Sequence, residues 1–469
     1  MKGGMTKDKC TISVYHVLVA AFVIRAFIPL YAAFFSDDPS VYYEIYSYQY
    51  LEPARNLVRS GEFASNGAPE IYRPPGYSIL LIPGILLNHV SLVTIAIQIF
   101  LSCLTVYLIF RASLILFDRT DVATACAAVY AVEPLSVIFS SLVMPETLLT
   151  LMLTVFLFCL LRYLKQGSLR HLFYGALTAA AAVYVQATAY FLPVCVTLVL
   201  MAWALRQRKG TVIIHALVFL AISMSLIGLW QIRNRVETGY SGFSTLFDKS
   251  LYYAQAASVL AVTEGKSDFR EMWGQMERRA NEYSEQHAGL SKRFDYMRQE
   301  GIRIVLAHPL TYAQIHLQGM IRTLSGAEVH TYVRMLRLYS GPGTAWQELI
   351  SGRGLLDLTR HDYRKPNLAT ILVTIVLLLI VVVTYLFSVT ALFSGKFAKS
   401  MPMFSLLSVV SYWLIITGGP HGYSRYRHAM MPVICILAGY GLYIVLSRFS
   451  IRHGPHQDRW NRDQIETSV

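Results

Sequence analysis

The sequence predicts an all-α polytopic membrane protein with about ten transmembrane helices. Of its 469 residues, 55% are hydrophobic and only 15% are charged, whereas soluble chains carry more charge. Apolar runs of about twenty residues, long enough to cross the hydrocarbon of a bilayer, recur along the chain. The net charge of +13 comes from Lys and Arg in short loops between these runs. We therefore interpret it as a topology signal and predict no nucleic-acid partner.

Ten stretches are predicted to span the membrane. They are 11–34, 91–113, 121–141, 147–164, 171–188, 189–206, 211–231, 367–393, 402–418 and 428–447. A further apolar stretch, 76–90, is short and is interrupted by Pro83 and Gly84. If 76–90 only dips into the membrane, the basic loops lie on the side of the basic N-terminus; if it crossed, all later loops would invert. We therefore predict that it is re-entrant and that both termini are cytoplasmic.

The predicted organisation has four parts. They are an N-terminal transmembrane catalytic module (1–231) with its first outer loop (36–90), an extracytoplasmic or interfacial helical segment (232–366), C-terminal transmembrane helices (367–447) and a cytoplasmic tail (448–469). Within the mid-chain segment, 264–302 is predicted to be one charged helix and 303–325 an amphipathic interfacial stretch. The six cysteines lack metal-ligand spacing, so we predict neither a disulfide framework nor a cysteine-bound metal.

The first outer loop combines carboxylates, a row of tyrosines and the rigid turn Arg73-Pro74-Pro75-Gly76-Tyr77. From Tyr42 to Val58 there is no glycine, and apolar side chains recur at roughly helical spacing. This pattern favours an amphipathic helix on the membrane surface. A solvated connecting loop is the alternative interpretation.

With this topology, charged residues at the ends of several spans share one face of the membrane. They are Asp37, Asp38, Glu44, Arg73, Glu146, Arg233, Arg235, Arg425, Arg427 and His428. Charges at membrane depth are costly and usually face a cavity or a partner. Arginine pairs bidentately with phosphate, and a carboxylate can accept a proton from a hydroxyl or bind a divalent cation. The set suits a lipid phosphate, although interfacial anchoring of the arginines and a helix-start role for Glu146 also explain it.

Three local patterns resemble the integral-membrane GT-C glycosyltransferases, in particular the protein-mannosyltransferase-like family. That family includes the dolichyl-phosphate-mannose enzymes and the aminoarabinose transferase to lipid A. The patterns are YLEPARNLVRSGEF followed by YRPPGYSILL, the turn VMPETLL, and the pair WQIRN and GYSRYRHAMMPV. The likeness covers mainly residues 10–235, with the final two spans as weaker support.

The resemblance implies inverting transfer of a sugar from a polyprenyl-phosphate donor to a glycolipid, polysaccharide or protein acceptor. We expect the active site on the extracytoplasmic side of the bacterial inner or plasma membrane. The base or metal ligand would be a first-loop carboxylate, and Glu146 would match the second acidic position. The residues predicted to bind the lipid phosphate are Arg73, Arg233, Arg425 and Arg427.

The sequence departs from the family pattern at one position. Many relatives carry an acidic residue at the slot that Tyr46 occupies here, so we rank Asp38 and Asp37 above Glu44 as the base. A non-catalytic scaffold of the same fold is consistent with this departure. A lipid or glycan flippase or transporter would show repeats, interrupted helices or mid-membrane charges, for which Arg25 and Glu133 are the candidates. A polymerase or ligase of lipid-linked glycans would carry its critical arginines late in the chain. The cofactor is left open, with a divalent metal ion compatible with the carboxylates.

Overall fold

The computed structural model describes residues 6–36, 38–266, 269–287, 289–338, 368–394 and 400–453, of which 6–13, 269–270 and 449–453 are described by backbone alone. The described residues form helices joined by short turns and a small hairpin, which confirms the all-α polytopic prediction. Asp37 and the predicted tail beyond residue 453 lie outside the described residues.

The helices of the first half of the chain are α1 (Thr6–Phe35), α2 (Tyr48–Ser60), α3 (Pro75–Leu86), α4 (Val90–Phe117), α5 (Thr120–Ala131), α6 (Pro134–Phe139), α7 (Glu146–Gln166), α8 (Leu169–Val185), α9 (Leu192–Gln207) and α10 (Gly210–Thr238). Those that follow are α11 (Leu246–Lys249), α12 (Ala257–Thr263), α13 (Phe269–Gln286), α14 (Leu290–Ala307), α15 (Pro309–Ser325), α16 (Val329–Met335), α17 (Leu368–Leu392), α18 (Met401–Thr417) and α19 (Met431–His453). Three 3-10 helices cover Pro39–Tyr42, Ala187–Ala189 and Ser424–Met430, and a π-helix covers Ser250–Ala256. Strands β1 (Ala64–Ser65) and β2 (Ala68–Pro69) pair antiparallel, with Ala64 opposite Pro69.

Seven helical segments in the described part of the chain are long and apolar enough to cross a bilayer. They are Val14–Phe35, Val90–Phe117, Glu146–Gln166, Ala187–Gln207, Gly210–Thr238, Leu368–Leu392 and Ser424–Arg448. Each coincides with a predicted span. The other three predicted spans coincide with the 17-residue helices α8 and α18 and with the pair α5 and α6.

The third predicted span is broken at Val132 and Glu133, between α5 and α6. Arg25 of α1 is fully buried and fills this break by donating to the carbonyl oxygens of Ala131 (2.8 Å) and Tyr130 (3.3 Å). The last carbonyls of a helix have no partner within it, and the C-terminal dipole favours a cation. Arg25 therefore stabilises an interrupted helix inside the bundle.

The first outer loop starts with a 3-10 turn and continues into α2, which begins at Tyr48 rather than at the predicted Tyr42. The helix ends at Ser60 because Gly61 adopts a left-handed conformation (φ 75°). The following α3 has 12 residues, a rise of about 18 Å against a hydrocarbon thickness of about 30 Å. This length agrees with a re-entrant segment.

The mid-chain segment differs from its prediction. The single helix expected over 264–302 is wrong: α13 and α14 are separate, with Gly289 between them at φ 117°. The predicted stretch 303–325 is also divided, because α14 ends at Ala307 and Pro309 starts α15, where its missing N–H is harmless.

Two apolar cores hold these elements. The larger core runs from Val14 of α1 to Leu437 of α19, so the N-terminal and C-terminal transmembrane helices share it. The smaller core packs α13 and α14 around Tyr252, Met276 and Phe294. The boundaries predicted for the four parts of the chain stay predictions.

Because Gly76 has no side chain, the backbone of α3 packs directly against the backbone at the end of α8. A Cβ atom at Gly76 would lie 2.6 Å from the carbonyl oxygen of Tyr184 and 2.9 Å from the nitrogen of Val185. Neither backbone atom can rotate away, so the re-entrant helix would have to shift.

We expect Gly76→Ala to lower the free energy of unfolding by about 1–3 kcal/mol, the usual cost of overpacking. The measurement is the thermal unfolding midpoint of the detergent-solubilised protein. Gly228→Ala is the matched control, because a Cβ there meets nothing within 4 Å. Equal midpoints for the two variants would contradict the close packing of α3 on α8.

Candidate active site

A cavity of about 1230 Å³ opens at one end of the bundle. Its walls come from the first outer loop, the turn at residues 186–190, the mid-chain segment and the loop at 415–426. The sequence places all four of these segments on one side of the membrane. The structure therefore brings together, around one space, loops that are far apart in the chain.

Arg73 lies in the inner wall of this cavity and is only 6% exposed. Its Nε and Nη2 atoms donate to Oε1 of Gln49 at 2.9 and 2.6 Å. Its guanidinium carbon lies 4.7 Å from the ring centroid of Tyr72 and 5.2 Å from that of Tyr50. Aromatic faces attract a cation at these distances, so the charge is held without a carboxylate partner among the described residues.

Glu70 sets the path of the chain into Arg73. Its Oε1 atom accepts hydrogen bonds from the backbone N–H groups of Tyr72 and Arg73. Pro74 and Pro75 then fix the backbone and start α3. The turn that the sequence singles out thus presents one arginine to the cavity.

Arg425 approaches the same cavity from the loop before α19. Its guanidinium carbon lies 4.2 Å from the ring centroid of Tyr46, and that of Arg73 lies 5.8 Å from the same ring. Its Nη2 donates to the hydroxyl of Tyr426 at 2.9 Å, and its buried Nε has no hydrogen-bond partner among the described residues. Two like charges therefore share the ring of Tyr46, the residue at which the sequence departs from the family pattern.

Lys249 is a third cation of this wall, and the sequence reasoning missed it. Its Nζ lies 4.6 Å from the ring centroid of Tyr72 and 6.0 Å from that of Phe294. Burial lowers the pKa of Lys249, and Glu70, Arg293 and Arg73 are its charged neighbours. A lone lysine at the end of the four-residue helix α11 gives no sequence signal, so only the fold reveals it.

Two of the predicted first-loop carboxylates, Asp38 and Glu44, already have hydrogen-bond or ion-pair partners in the fold. Asp38 is exposed and caps the 3-10 turn, accepting hydrogen bonds from the N–H (2.8 Å) and hydroxyl (2.6 Å) of Ser40. These hydrogen bonds lower the pKa of Asp38, which makes it a weaker base. Glu44 forms an ion pair with Arg334 of α16. Neither Asp38 nor Glu44 lines the cavity.

Glu146 is the predicted carboxylate that the structure brings close to the arginines. It is 3% exposed at the start of α7, and it interacts electrostatically with Arg425 and Arg73. Its Oε2 atom has no hydrogen-bond partner among the described residues. It lies behind the cavity wall rather than in it.

A divalent cation has no ready site among the described residues, where no group of three or more His, Cys, Asp or Glu side chains converges. Glu328 interacts electrostatically with Glu146, but its oxygens face Ser424 and His330. These two carboxylates do not make a complete ligand set. A metal cofactor stays a prediction, and no step below is assigned to one.

The two remaining predicted arginines lie away from the cavity. Arg233 donates to the carbonyl oxygens of Glu70 (2.7 Å) and Phe63 (3.0 Å), which ties α10 to the first outer loop. Arg427 is fully buried in the bundle, where it donates to the carbonyl oxygen of Leu324. Neither side chain is among those that line the cavity.

An apolar groove of about 420 Å³ adjoins the cavity. It runs between α9 and α18 and is lined by Phe191, Val194, Cys195, Leu198, Val199, Ala202, Phe404 and Tyr412. Phe191 lines both the groove and the cavity. The hydroxyl of Tyr412 donates to the carbonyl oxygen of Thr188, which also lines the cavity, at 2.6 Å. The polar and apolar spaces therefore meet at the turn before α9.

Comparisons with known proteins relate the chain to one family and to several solved structures. Residues 73–230, which begin at the cavity arginine, match the family described as dolichyl-phosphate-mannose-protein mannosyltransferase. The structure resembles the apo oligosaccharyltransferase of Archaeoglobus fulgidus (TM-score 0.52, 15% identity, 98% of this chain and 52% of that one). The chain therefore shares the fold of this oligosaccharyltransferase. This confirms the resemblance that the sequence motifs predicted.

Two further solved structures resemble the fold of this chain. One is oligosaccharyltransferase AglB of Archaeoglobus fulgidus with an inhibitory peptide and a dolichol-phosphate (TM-score 0.52, 12% identity, 96% and 52% coverage). The other is the Archaeoglobus fulgidus oligosaccharyltransferase tethered to an acceptor peptide with the NVT sequon (TM-score 0.53, 14% identity, 95% and 51% coverage). The present chain spans about half the length of these proteins. No curated protein matches it significantly in sequence.

Proposed function

We propose that the protein transfers a sugar from a polyprenyl-phosphate donor to an acceptor hydroxyl or amide in the cavity. The observation that carries this proposal is the cluster of three cations, Arg73, Arg425 and Lys249, in the wall of a large cavity that adjoins an apolar groove. A lipid phosphate has a negative head, which the cationic cavity wall matches, and an apolar tail, which the groove matches. The active site would face the extracytoplasmic side, as the distribution of basic loops predicts.

The phosphate of the donor is assigned to the cationic wall. Arg425 has a free Nε–H, and Arg73 and Lys249 flank the ring of Tyr72. Guanidinium groups bind phosphate oxygens through paired N–H donors, and such bonds are stronger than neutral ones. Because no described carboxylate forms an ion pair with these three cations, a phosphate can supply the missing negative charge.

The lipid tail is assigned to the groove between α9 and α18. Its lining is almost wholly apolar, and Phe191 connects it to the cavity. A polyprenyl chain in this groove would leave its phosphate at the turn before α9. The solved AglB with bound dolichol-phosphate supports a lipid phosphate as the ligand of this fold.

The transfer is a single displacement and therefore inverts the anomeric centre. The acceptor atom attacks the anomeric carbon, the bond from that carbon to the phosphate oxygen breaks, and the polyprenyl phosphate leaves with the electron pair. The three cations stabilise the charge that develops on the phosphate.

The proton of the acceptor goes to Glu146, which we favour over Asp38 and Glu44. Its free Oε2 atom and its position beside Arg73 and Arg425 support this assignment. Since Glu146 lies behind the wall, the proton reaches it through one water, which general base catalysis tolerates. A base role for Asp37, outside the described residues, stays a prediction.

The test is transfer of labelled sugars in proteoliposomes, supplied with a panel of polyprenyl-phosphate sugars and membrane lipid and protein acceptors. We expect Glu146→Gln to lower kcat by about 100-fold or more, the usual contribution of a general base, and to retain donor binding. Asp38→Asn is the control and is expected to stay within about threefold of wild type, because the Ser40 contacts are local. If Asp38→Asn were inactive and Glu146→Gln active, Asp38 of the first loop rather than Glu146 would be the base. If wild type transfers no sugar but moves lipid across the bilayer, the flippase alternative replaces the proposal.

A second prediction concerns pH. Since burial lowers the pKa of Lys249, its positive charge is lost at a lower pH than that of an ordinary lysine, and donor affinity should fall as the pH rises through that pKa. Lys249→Arg keeps its charge, so we expect the alkaline limb of donor binding to move to higher pH. Lys292→Arg, outside the cavity lining, is the matched control. An unchanged alkaline limb in Lys249→Arg would exclude Lys249 from phosphate binding.

A further inference from the structure

We propose that the outer wall of the cavity is a carbohydrate subsite built on Trp273, Tyr253 and Glu277, distinct from the cationic wall. It would bind sugar residues beyond the one that is transferred, either on the acceptor or on the donor. The inference rests on the proposed function for the source of the sugar, but the subsite is argued from its own geometry.

The sequence of α13 places two stripes side by side. Met272, Met276 and Ala280 recur every four residues, are fully buried and pack into the smaller core. One position further along, Trp273, Glu277 and Asn281 repeat the same spacing, which puts them on one adjacent face. Trp273 and Glu277 line the cavity. The core stripe therefore holds the second stripe against the cavity.

An aromatic surface forms where this stripe meets the π-helix. The ring centroids of Trp273 and Tyr253 are 6.1 Å apart with their planes at 45°. Trp273 is 46% exposed. A large aromatic side chain at a cavity wall offers a flat apolar face at low conformational cost.

Polar groups with fixed geometry surround the aromatic surface. Nη2 of Arg293 donates to Oδ1 of Asn281 at 2.7 Å and to the hydroxyl of Tyr253 at 3.5 Å. The carboxylate of Glu277 is near enough to Tyr253 to interact with it electrostatically, and it forms no ion pair within the described residues. The wall thus presents a free carboxylate and an anchored guanidinium beside two rings.

This combination fits a carbohydrate better than a phosphate or a peptide. A pyranose has an apolar face of C–H groups, which packs on an aromatic ring, and equatorial hydroxyls, which a carboxylate and a guanidinium bind at its edge. A phosphate would be attracted by Arg293 but opposed by Glu277, whereas sugar hydroxyls can hydrogen-bond to both. An extended peptide would be recognised through a strand edge, but the described strands are the two-residue β1 and β2 of the first outer loop.

The size of the cavity supports a second subsite. Its volume is about 1230 Å³, above the range of about 300–1000 Å³ for the site of one drug-sized ligand. Phe294 lines the same space, and its ring centroid lies 6.0 Å from Nζ of Lys249. The outer wall therefore continues from the cationic wall. One sugar phosphate at the arginines would leave the outer wall unfilled.

The direct test is oligosaccharide binding by purified protein in lipid nanodiscs, without donor. Saturation-transfer NMR with a panel of trisaccharides and of Ser-, Thr- and Asn-containing peptides reports which class binds. We expect at least one trisaccharide to bind wild type, Trp273→Ala to weaken that binding tenfold or more, and Trp273→Phe to retain most of it. Glu277→Gln should also weaken binding, whereas Glu282→Gln, exposed on the same helix outside the cavity lining, should not.

The proposal is overturned if no trisaccharide binds wild type, if Trp273→Ala binds as wild type does, or if a peptide alone occupies the site. Thermal unfolding of each variant shows whether it is folded. If Trp273→Ala is misfolded, the binding measured for Trp273→Phe and Glu277→Gln tests the proposal in its place. Transfer kinetics then separate the sources of the sugar. A raised KM for the acceptor alone assigns the subsite to an acceptor glycan, and a raised KM for an oligosaccharide donor but not a monosaccharide donor assigns it to the donor.

These outcomes are independent of the proposed function. If wild type binds a trisaccharide through Trp273 but transfers no sugar, the subsite stands and the transferase proposal fails. If transfer is normal in Trp273→Ala and Glu277→Gln, the transferase proposal stands without the subsite.

Discussion

The structure depends on two guanidinium groups that share one tyrosine ring. Arg73 and Arg425 come from opposite ends of the chain, yet both lie over Tyr46 at 5.8 and 4.2 Å from its centroid. Two like charges that share one ring repel each other. The aromatic faces and the carboxylate of Glu146, which interacts with both arginines, offset part of this repulsion. Under the proposed function, a bound phosphate would relieve the remaining repulsion and so stabilise the site.

The rest of the fold holds these charges in place. Glu70 and the two prolines set the turn that carries Arg73, and Arg233 binds the carbonyl oxygen of Glu70 from α10. At the far end of the chain, Arg427 is anchored to α15 through the carbonyl of Leu324 and supports the loop of Arg425. Both arginines donate to backbone carbonyl oxygens that position the loops, and their predicted role in phosphate binding stays a prediction.

Much of the fold follows from the sequence because membrane spans are set by length and apolarity. All ten predicted spans coincide with helices or with the broken pair α5 and α6. The sequence does not show that Arg25 fills the break between α5 and α6, since Arg25 and Ala131 are distant in the chain and meet only after packing. The two helices in place of one at 264–302 reflect a single glycine, a weak signal in a strongly helical sequence.

The candidate site was predictable in part. Arg73 stands in a fixed proline turn, and Arg425 precedes a span, so both carry local signals. Charge and proximity to a span single out Asp38 and Glu44 in the sequence, but they do not reveal the contacts of these carboxylates with Ser40 and Arg334. A base role for either residue stays a prediction. Lys249, Gln49 and Trp273 come from irregular or polar segments, and only the folded chain places them around the cavity.

The central claim is that Arg73 and Arg425 hold a lipid phosphate over Tyr46 while the tail follows the groove at Phe191. The most direct measurement is a cryo-electron microscopy structure in nanodiscs with added polyprenyl phosphate. We predict density for the phosphate within hydrogen-bond distance of both guanidinium groups and for the tail between α9 and α18. Phosphate density elsewhere, with Arg73 and Arg425 unchanged and unliganded, would contradict the account.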